Sequence, residues 1–334
     1  VTDISGRIAR RQERIHVAIG PTCNNNCLFC MEEDRASREV VNGAMTPDRV
    51  RAILESRRGA EEVCFTSGEP TLVSDLPRYA NWAKKLGYRR ISVMTNGRRL
   101  AHLAYAEHLA KSGVNCFYVS IHGHTARLHT AAVREPEAFE QTAQGIRNVA
   151  ALKHAGPSGR LGLTLHTSTV VTTRNLAHMK EIYAFLRDLG VDQCVFNVMQ
   201  ANGRAHTHFD LLFPTYAEIA SAFKQFLDTC GEPQPQAFLV DIPLCTTTAI
   251  PDFHRGYVEK YVHYEPKGFQ EIELLTPDAP EQAPDLVAVT RADLDHARRQ
   301  KRPECAACRY DAACEGVWTN YLARRGWAEF GPVA

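Results

Sequence analysis

The sequence predicts an α/β protein: a partial (β/α)6 barrel of the TIM type, followed by a small C-terminal domain organised around cysteines. Three observations carry this. Between residue 16 and about 205, short β-branched or apolar runs alternate with longer amphipathic stretches, the rhythm of βαβ crossovers and a parallel sheet. Polar clusters follow directly after the strand-like runs, where barrels of this kind gather their chemistry. From about residue 237 the alternation stops and a second group of cysteines appears.

Taken in order, the first strand is read in IHVAIG (15–20), and CNNNCLFC follows it. The helical pattern TPDRVRAILESRRG leads to a second strand in EVCFTSG, which runs into SGEPT. DLPRYANWAKKLG precedes a third strand in RISVMTNG, ending in TNGRR. LAYAEHLAKSG precedes a fourth in CFYVSIHG, ending in HGHT. AFEQTAQGIRNVAALKHAG precedes a fifth in LTLHTSTVV, and NLAHMKEIYAFLRDLG a sixth in QCVFNVMQ, followed by NGRAH. Several helices begin at Thr, Asp or Asn and stop at Gly, as capping preferences require. After one more helix, TYAEIASAFKQFLDTCG, the segment EPQPQ breaks the pattern. A strand ending in LVDIPLC, a hairpin around YVEKYVHYEP and a Pro- and acid-rich loop TPDAPEQAPD are expected next. The division is residues 1–15 as an N-terminal extension, 16–230 as the barrel and 231–334 as a small domain. The last is too poor in regular structure to hold together without a metal.

Composition excludes several classes. The chain has 334 residues, 44% hydrophobic and 23% charged, with a formal charge of +1. That balance offers no footprint for nucleic acid or an anionic membrane. No run approaches the apolar length of a membrane span, and the basic start RIARRQERIHVAIG lacks a signal peptide's apolar stretch. A cytoplasmic protein is expected. In a reducing compartment the eleven cysteines are then read as metal-binding or catalytic where they cluster. Cys64, Cys116 and Cys194 lie singly in strand-like runs and are read as small buried hydrophobes.

Cys23, Cys27 and Cys30 lie on one short loop with no Cys or His close behind. Thiolates suit zinc or iron–sulfur clusters, and a zinc site would normally recruit a fourth protein ligand. A cubane has four irons, so three cysteines leave one corner for a non-protein ligand. The C-x3-C-x2-C spacing, with Phe29 before the last Cys and a strand before the loop, resembles the radical S-adenosylmethionine (SAM) superfamily. The resemblance covers roughly residues 16–205. It implies that the open iron chelates SAM, and that an electron from the cluster cleaves SAM to a 5′-deoxyadenosyl radical that abstracts a substrate hydrogen. An electron donor such as flavodoxin or ferredoxin is implied as a partner. Gly68, Glu69 and Pro70 look like the family's GGEP motif, with Ser67 in place of its first glycine. By the same resemblance, Thr95, Asn96 and Ser120 fall where relatives contact the methionine or ribose of SAM. His166, Ser168, Asn197 and Met199 fall where relatives line the adenosine site.

CAACRYDAAC gives Cys305, Cys308 and Cys314 as C-x2-C-x5-C. This resembles the auxiliary-cluster domains of radical SAM enzymes, the SPASM and the shorter twitch types. With no cysteine after Cys314, the twitch type with one extra [4Fe-4S] cluster fits better, making two [4Fe-4S] clusters in all. Cys245 is the expected fourth ligand and Cys230 the weaker candidate; a structural zinc knuckle is the alternative. With four thiolates the second cluster would transfer electrons. With three it would bind substrate or donate sulfur, and Cys245 would be free to act as a hydrogen-atom donor.

His122, His124 and His129 gather near the fourth strand's end, where capping, hydrogen bonding or contact with SAM or substrate is favoured over a metal site. Arg204, His206 and His208 follow the sixth strand and would suit an anionic or hydroxyl-rich substrate. Asp241, Asp252, His254, Arg255 and Tyr257 flank Cys245 and would close the site from the second domain. The expected function is hydrogen abstraction from a small polar molecule (a sugar, aminoglycoside or nucleoside) giving oxidation or epimerisation. The absence of a winged-helix peptide-recognition module and of a basic surface composition favours this. A maturase that oxidises or crosslinks a ribosomal peptide is the second reading, and a non-enzymatic zinc-stabilised binding protein the third.

Overall fold

The computed structural model describes residues 12–20, 22–31, 45–154, 162–230, 235–247, 269–275, 287–290, 298–312 and 314–334. Six strands appear where the alternation places them: β1 (Gln12–Ala18), β2 (Glu62–Thr66), β3 (Arg90–Thr95), β4 (Cys116–Ser120), β5 (Thr164–Val171) and β6 (Gln193–Val198). The helices between them are α1 (Pro47–Ser56), α2 (Leu76–Leu86), α3 (Leu103–Ser112), α4 (Ala126–Val133), α5 (Ala138–His154) and α6 (Met179–Asp188). Thr46 caps α1 by accepting from the Arg49 amide at 3.3 Å. Gly87 ends α2 at φ 91°, the left-handed geometry glycine adopts without a Cβ penalty.

The strands pair in parallel in sequence order, so the chain winds one βα unit after another into a partial barrel. Three strands extend it. β7 (Gln236–Val240) pairs parallel to β6, so the sheet continues past residue 230. β8 (Phe269–Leu275) pairs parallel to β1, and β9 (Val287–Thr290) lies antiparallel to β8. The last two were not legible as strands, since charge and proline surround them. The predicted hairpin at 257–266 and the loop at 276–285 lie outside the described residues.

Alternation along each strand divides the sheet. Ile15, Val17, Phe65, Val93, Phe117 and Phe196 are fully buried in the core shared with the helices, each contributing about 1.5–3 kcal/mol. Opposite residues fill the lumen. Near its floor Arg14 pairs with Glu62 at 3.0 Å and donates to the Tyr118 hydroxyl at 2.7 Å. Ser92 donates to the other Glu62 oxygen at 2.5 Å. Charges buried this deeply persist only when paired.

After β6 come α7 (Gly203–Thr207), α8 (Phe209–Leu212) and α9 (Tyr216–Cys230). The C-terminal segment contributes β10 (Arg299–Gln300), β11 (Val317–Trp318) and α10 (Thr319–Arg325), with β10 and β11 antiparallel. Its Trp318, Tyr321 and Phe330 are buried in the main core, Tyr321 lying 4.5 Å from the Tyr216 ring. The tail therefore shares the barrel's core. Among the described residues no helix is long and apolar enough to cross a membrane.

Candidate functional site

The cysteine loop follows β1 and is tied down from three sides. From α4, the Ala132 and Val133 carbonyls accept the Leu28 and Asn26 amides at 3.0 and 2.9 Å. From the β3 side, Asn96 donates to Asn24 Oδ1 at 2.6 Å and to the Cys23 sulfur at 3.9 Å. Arg98 reaches the Asn24 carbonyl and, at 3.2 Å, Asn25 Oδ1, while Gln141 of α5 holds its Nε at 2.7 Å. From α7, the Arg204 amide donates to the Cys30 carbonyl at 3.0 Å and its guanidinium holds Asn26 Oδ1. Arg204 is thus engaged with the loop, while His206 stands exposed. Phe29 is buried edge-on against His122, ring centroids 4.6 Å apart.

Cys23, Cys27 and Cys30 are half-buried thiols in no disulfide. Burial, and then the neighbouring Cys23 and Cys30, push the Cys27 thiol up, while Arg204 pulls it down. Cys27 thus lies within electrostatic reach of Cys23 and Cys30. Among the described residues no three Cys, His, Asp or Glu side chains already form a closed metal cage. The fit to an iron–sulfur cluster is in the donor chemistry: three soft ligands on one pinned loop, which membership of a cluster would draw together.

The second motif turns at Ser67 (φ 74°) and Gly68 (φ 55°). Two successive left-handed residues explain why glycine suits both places. Ser67 carries a strain of about 1–2 kcal/mol that glycine would not. Glu69, 1% exposed, acts as a staple. One oxygen accepts from the Thr71 amide and hydroxyl (3.1 and 2.5 Å) and the Thr95 hydroxyl (2.5 Å), the other from the Asn96 amide (2.6 Å). Burial raises its pKa and these donors pull it back. The Glu69 amide itself donates to the Thr22 carbonyl at 2.8 Å. Cysteine loop, Gly68–Pro70 turn and Thr95–Asn96 are therefore one bonded unit at the C-terminal end of β1–β3. α5 closes over it: Thr142 donates to the Asn96 carbonyl at 2.8 Å, and Gly145 leaves room for the Gly97 carbonyl.

Ser120 and Ser168 are register partners on β4 and β5, and Asn197 of β6 donates to the Ser168 hydroxyl at 2.7 Å. Two residues sit apart from this polar edge. His166 is buried against Tyr118, centroids 5.1 Å apart, and burial with Arg90 nearby lowers its pKa to about 3. Met199 is packed in the core. Of the histidines, His122 and His129 stack at 5.7 Å, and the His122 amide donates to His129 Nδ1 at 3.1 Å. Burial lowers both pKa values, His129 to about 4. Both accept backbone amides, His129 from His122 and His122 from Val170 at 3.2 Å, as packed neutral rings. Arg98, Asn24 and Gly145 were missed in the sequence, although TNGRR placed Arg98 beside a motif.

In the tail, Cys308 and Cys314 accept from the Val333 and Gly316 amides at 3.3 and 3.4 Å. Cys245 lies in the turn Leu244–Thr247. Its pKa rises to about 11, chiefly through burial, is lowered by the Gly331 amide, and is raised further by Cys314 and then Cys308. Cys245 therefore lies within electrostatic reach of these thiols, whereas Cys230 ends α9 within reach of Lys180. Asp241 pairs with Arg299; Asp252, His254, Arg255 and Tyr257 lie outside the described residues.

A wound parallel sheet with three thiols on its first loop, stapled to a Gly-Glu-Pro turn, defines a class. The family model described as "Radical SAM superfamily" matches residues 17–186, and the chain belongs to that superfamily. Membership implies SAM and one [4Fe-4S] cluster. A probable GTP 3′,8-cyclase of Saccharolobus islandicus is 30% identical over 189 residues, 56% of this chain and 57% of the relative. An AdoMet-dependent heme synthase of Oleidesulfovibrio alaskensis is 29% identical over 186 residues, 55% of this chain and 45% of the relative. The chain spans about half the length of the curated relatives it matches. Among solved structures, Streptococcus suis SuiB bound to precursor peptide SuiA has TM-score 0.62 at 15% identity, covering 97% of this chain and 76% of that one. Native anSMEcpe with bound AdoMet has TM-score 0.58 at 13% identity, covering 96% and 92%. These likenesses show the fold.

Proposed function

We propose that the protein is a radical SAM enzyme that abstracts hydrogen from a small polar substrate, a sugar, aminoglycoside or nucleoside, for oxidation or epimerisation. In this reading Cys23, Cys27 and Cys30 hold the SAM-binding [4Fe-4S] cluster. Cys245, Cys305, Cys308 and Cys314 hold an auxiliary one in a twitch-like unit. The observation that carries the reading is the bonded unit of cysteine loop, Glu69 turn and Asn96, which sets three thiols and a fixed backbone turn at one edge of the barrel mouth. When bound, the cluster and SAM supply a 5′-deoxyadenosyl radical. The chain's own residues do the rest. Asn96, Arg98 and Arg204 fix the thiol loop, and Glu69 fixes the turn that relatives use for the amino end of SAM. Ser120, Ser168 and Asn197 offer hydroxyl and amide groups across the mouth. The neutral His122–His129 stack and Phe29 seal the loop's inner side from water, where a radical would otherwise be lost.

The small-substrate reading draws on the nucleotide-directed name of the cyclase relative. The peptide-maturase reading draws on the likeness to SuiB with its precursor peptide over nearly the whole chain. Anaerobic reconstitution with reductant and SAM tests both. We expect 5′-deoxyadenosine, about eight irons per chain, and deuterium transfer from labelled sugars or nucleosides. Transfer from precursor peptides alone would select the maturase, and one or two zincs without 5′-deoxyadenosine would refute the enzyme.

A further inference from the structure

Two chain segments supply the second thiol set. The turn Leu244–Thr247 brings Cys245, and the loop joining β10 to β11 brings Cys305, Cys308 and Cys314. An ion pair at the base of both joins them. Arg299 opens β10, is 7% exposed, and donates to Asp241 Oδ1 at 2.8 Å. Asp241 lies four residues before Cys245. The same guanidinium stands 3.4 Å from Glu315, the residue after Cys314, and 4.0 Å over the Trp318 ring, its register partner on β11. Asp241 is itself held at φ 63°, and its second oxygen accepts from Gln200, two residues past β6, at 3.3 Å. One guanidinium nitrogen thus grips the segment before Cys245, the residue after Cys314, and through Asp241 the rim of the barrel.

A buried, strained ion pair is a poor way to gain stability, because desolvation offsets most of the attraction. Its geometry makes it a good way to fix one arrangement. Lysine could keep the charge but lacks the flat face that lies over Trp318. We propose that Arg299 is a positioning residue that holds the segment of Cys245 beside the loop of Cys308 and Cys314 before any metal arrives, so that the two segments stay together at a constant distance from the barrel mouth and the thiols need only close on the metal. The inference rests on the reading of these four cysteines as one ligand set.

The test uses the full chain, first free of iron. Arg299→Lys keeps the charge; Asp241→Asn removes the pair with a residue that tolerates a left-handed φ. Alkylation rates of individual cysteines are read by mass spectrometry. In both variants Cys245 and Cys314 are expected to react about tenfold faster, the loss of one charge-assisted hydrogen bond, while Cys64, Cys116 and Cys194 stay protected. After reconstitution the electron paramagnetic resonance signal of the second cluster should shift, with that of the first unchanged. Unchanged alkylation and an unchanged signal in both variants would overturn the proposal. Wild-type protein carrying only four irons would instead overturn the ligand-set reading, and the alkylation result would still report on the clamp.

Discussion

The two cysteine groups are assembled in opposite ways. Cys23, Cys27 and Cys30 come from one stretch of eight residues, and the rest of the barrel grips that stretch through Asn96, Arg98, Arg204 and α4. Cys245 and Cys305, Cys308 and Cys314 come from segments sixty residues apart, joined by the Arg299–Asp241 pair and the aromatic packing of Tyr216, Tyr321 and Phe330. The first group has its spacing written into the chain and needs the fold only to hold it still. The second exists only because the fold closes. On the proposed reading, the difference teaches that a three-thiol site can be local to one loop, whereas the second thiol set has to draw Cys245 from a distant segment.

The comparison breaks most readily at the first group. Changing Cys23, Cys27 and Cys30 together to Ala should reduce 5′-deoxyadenosine formation to background while about four irons per chain remain on the second group. Turnover retained in that variant would dissolve the distinction. Next in size, Cys245→Ala should lower reconstituted iron from about eight to about four per chain. Full iron with product lost would assign Cys245 as a hydrogen donor instead.

The support around the first group is tested by Gly145→Ala. A Cβ there would run into the Gly97 carbonyl and meet Leu100. The cost should be about 1–3 kcal/mol in denaturant unfolding, with weaker SAM binding by calorimetry because Asn96 and Gly97 shift together. The smallest effect is expected at Cys230→Ser. Cys230 ends α9, within electrostatic reach of Lys180, so iron content should stay within error; a fall would place it in the second ligand set.

Much of the fold was legible. Apolar alternation placed β1 to β6 within a few residues, because each strand buries one face against helices and the period of two cannot slip without exposing it. β8 escaped notice because its sequence, FQEIELL, carries acidic residues, and pairing to β1 and β9 makes it a strand. In the candidate site, CNNNCLFC and GEP were visible as words. The work of Glu69 was not, since a buried carboxylate stapling two loops looks in sequence like any acidic turn residue. Arg204 read as a substrate-facing cation and proved to hold Asn26 and Cys30.

What the sequence determined alone is local: strand and helix periods, capping residues, and thiols spaced closely enough to share one loop. Such features depend on neighbours along the chain, whose separation is fixed by covalent geometry. The tertiary structure decided which distant groups meet: Glu69 with Asn96, Cys245 with Cys308 and Cys314, Arg299 with Asp241. Contacts of that kind form only after the chain has closed large loops to bury its apolar faces, and no local pattern records where those loops will close.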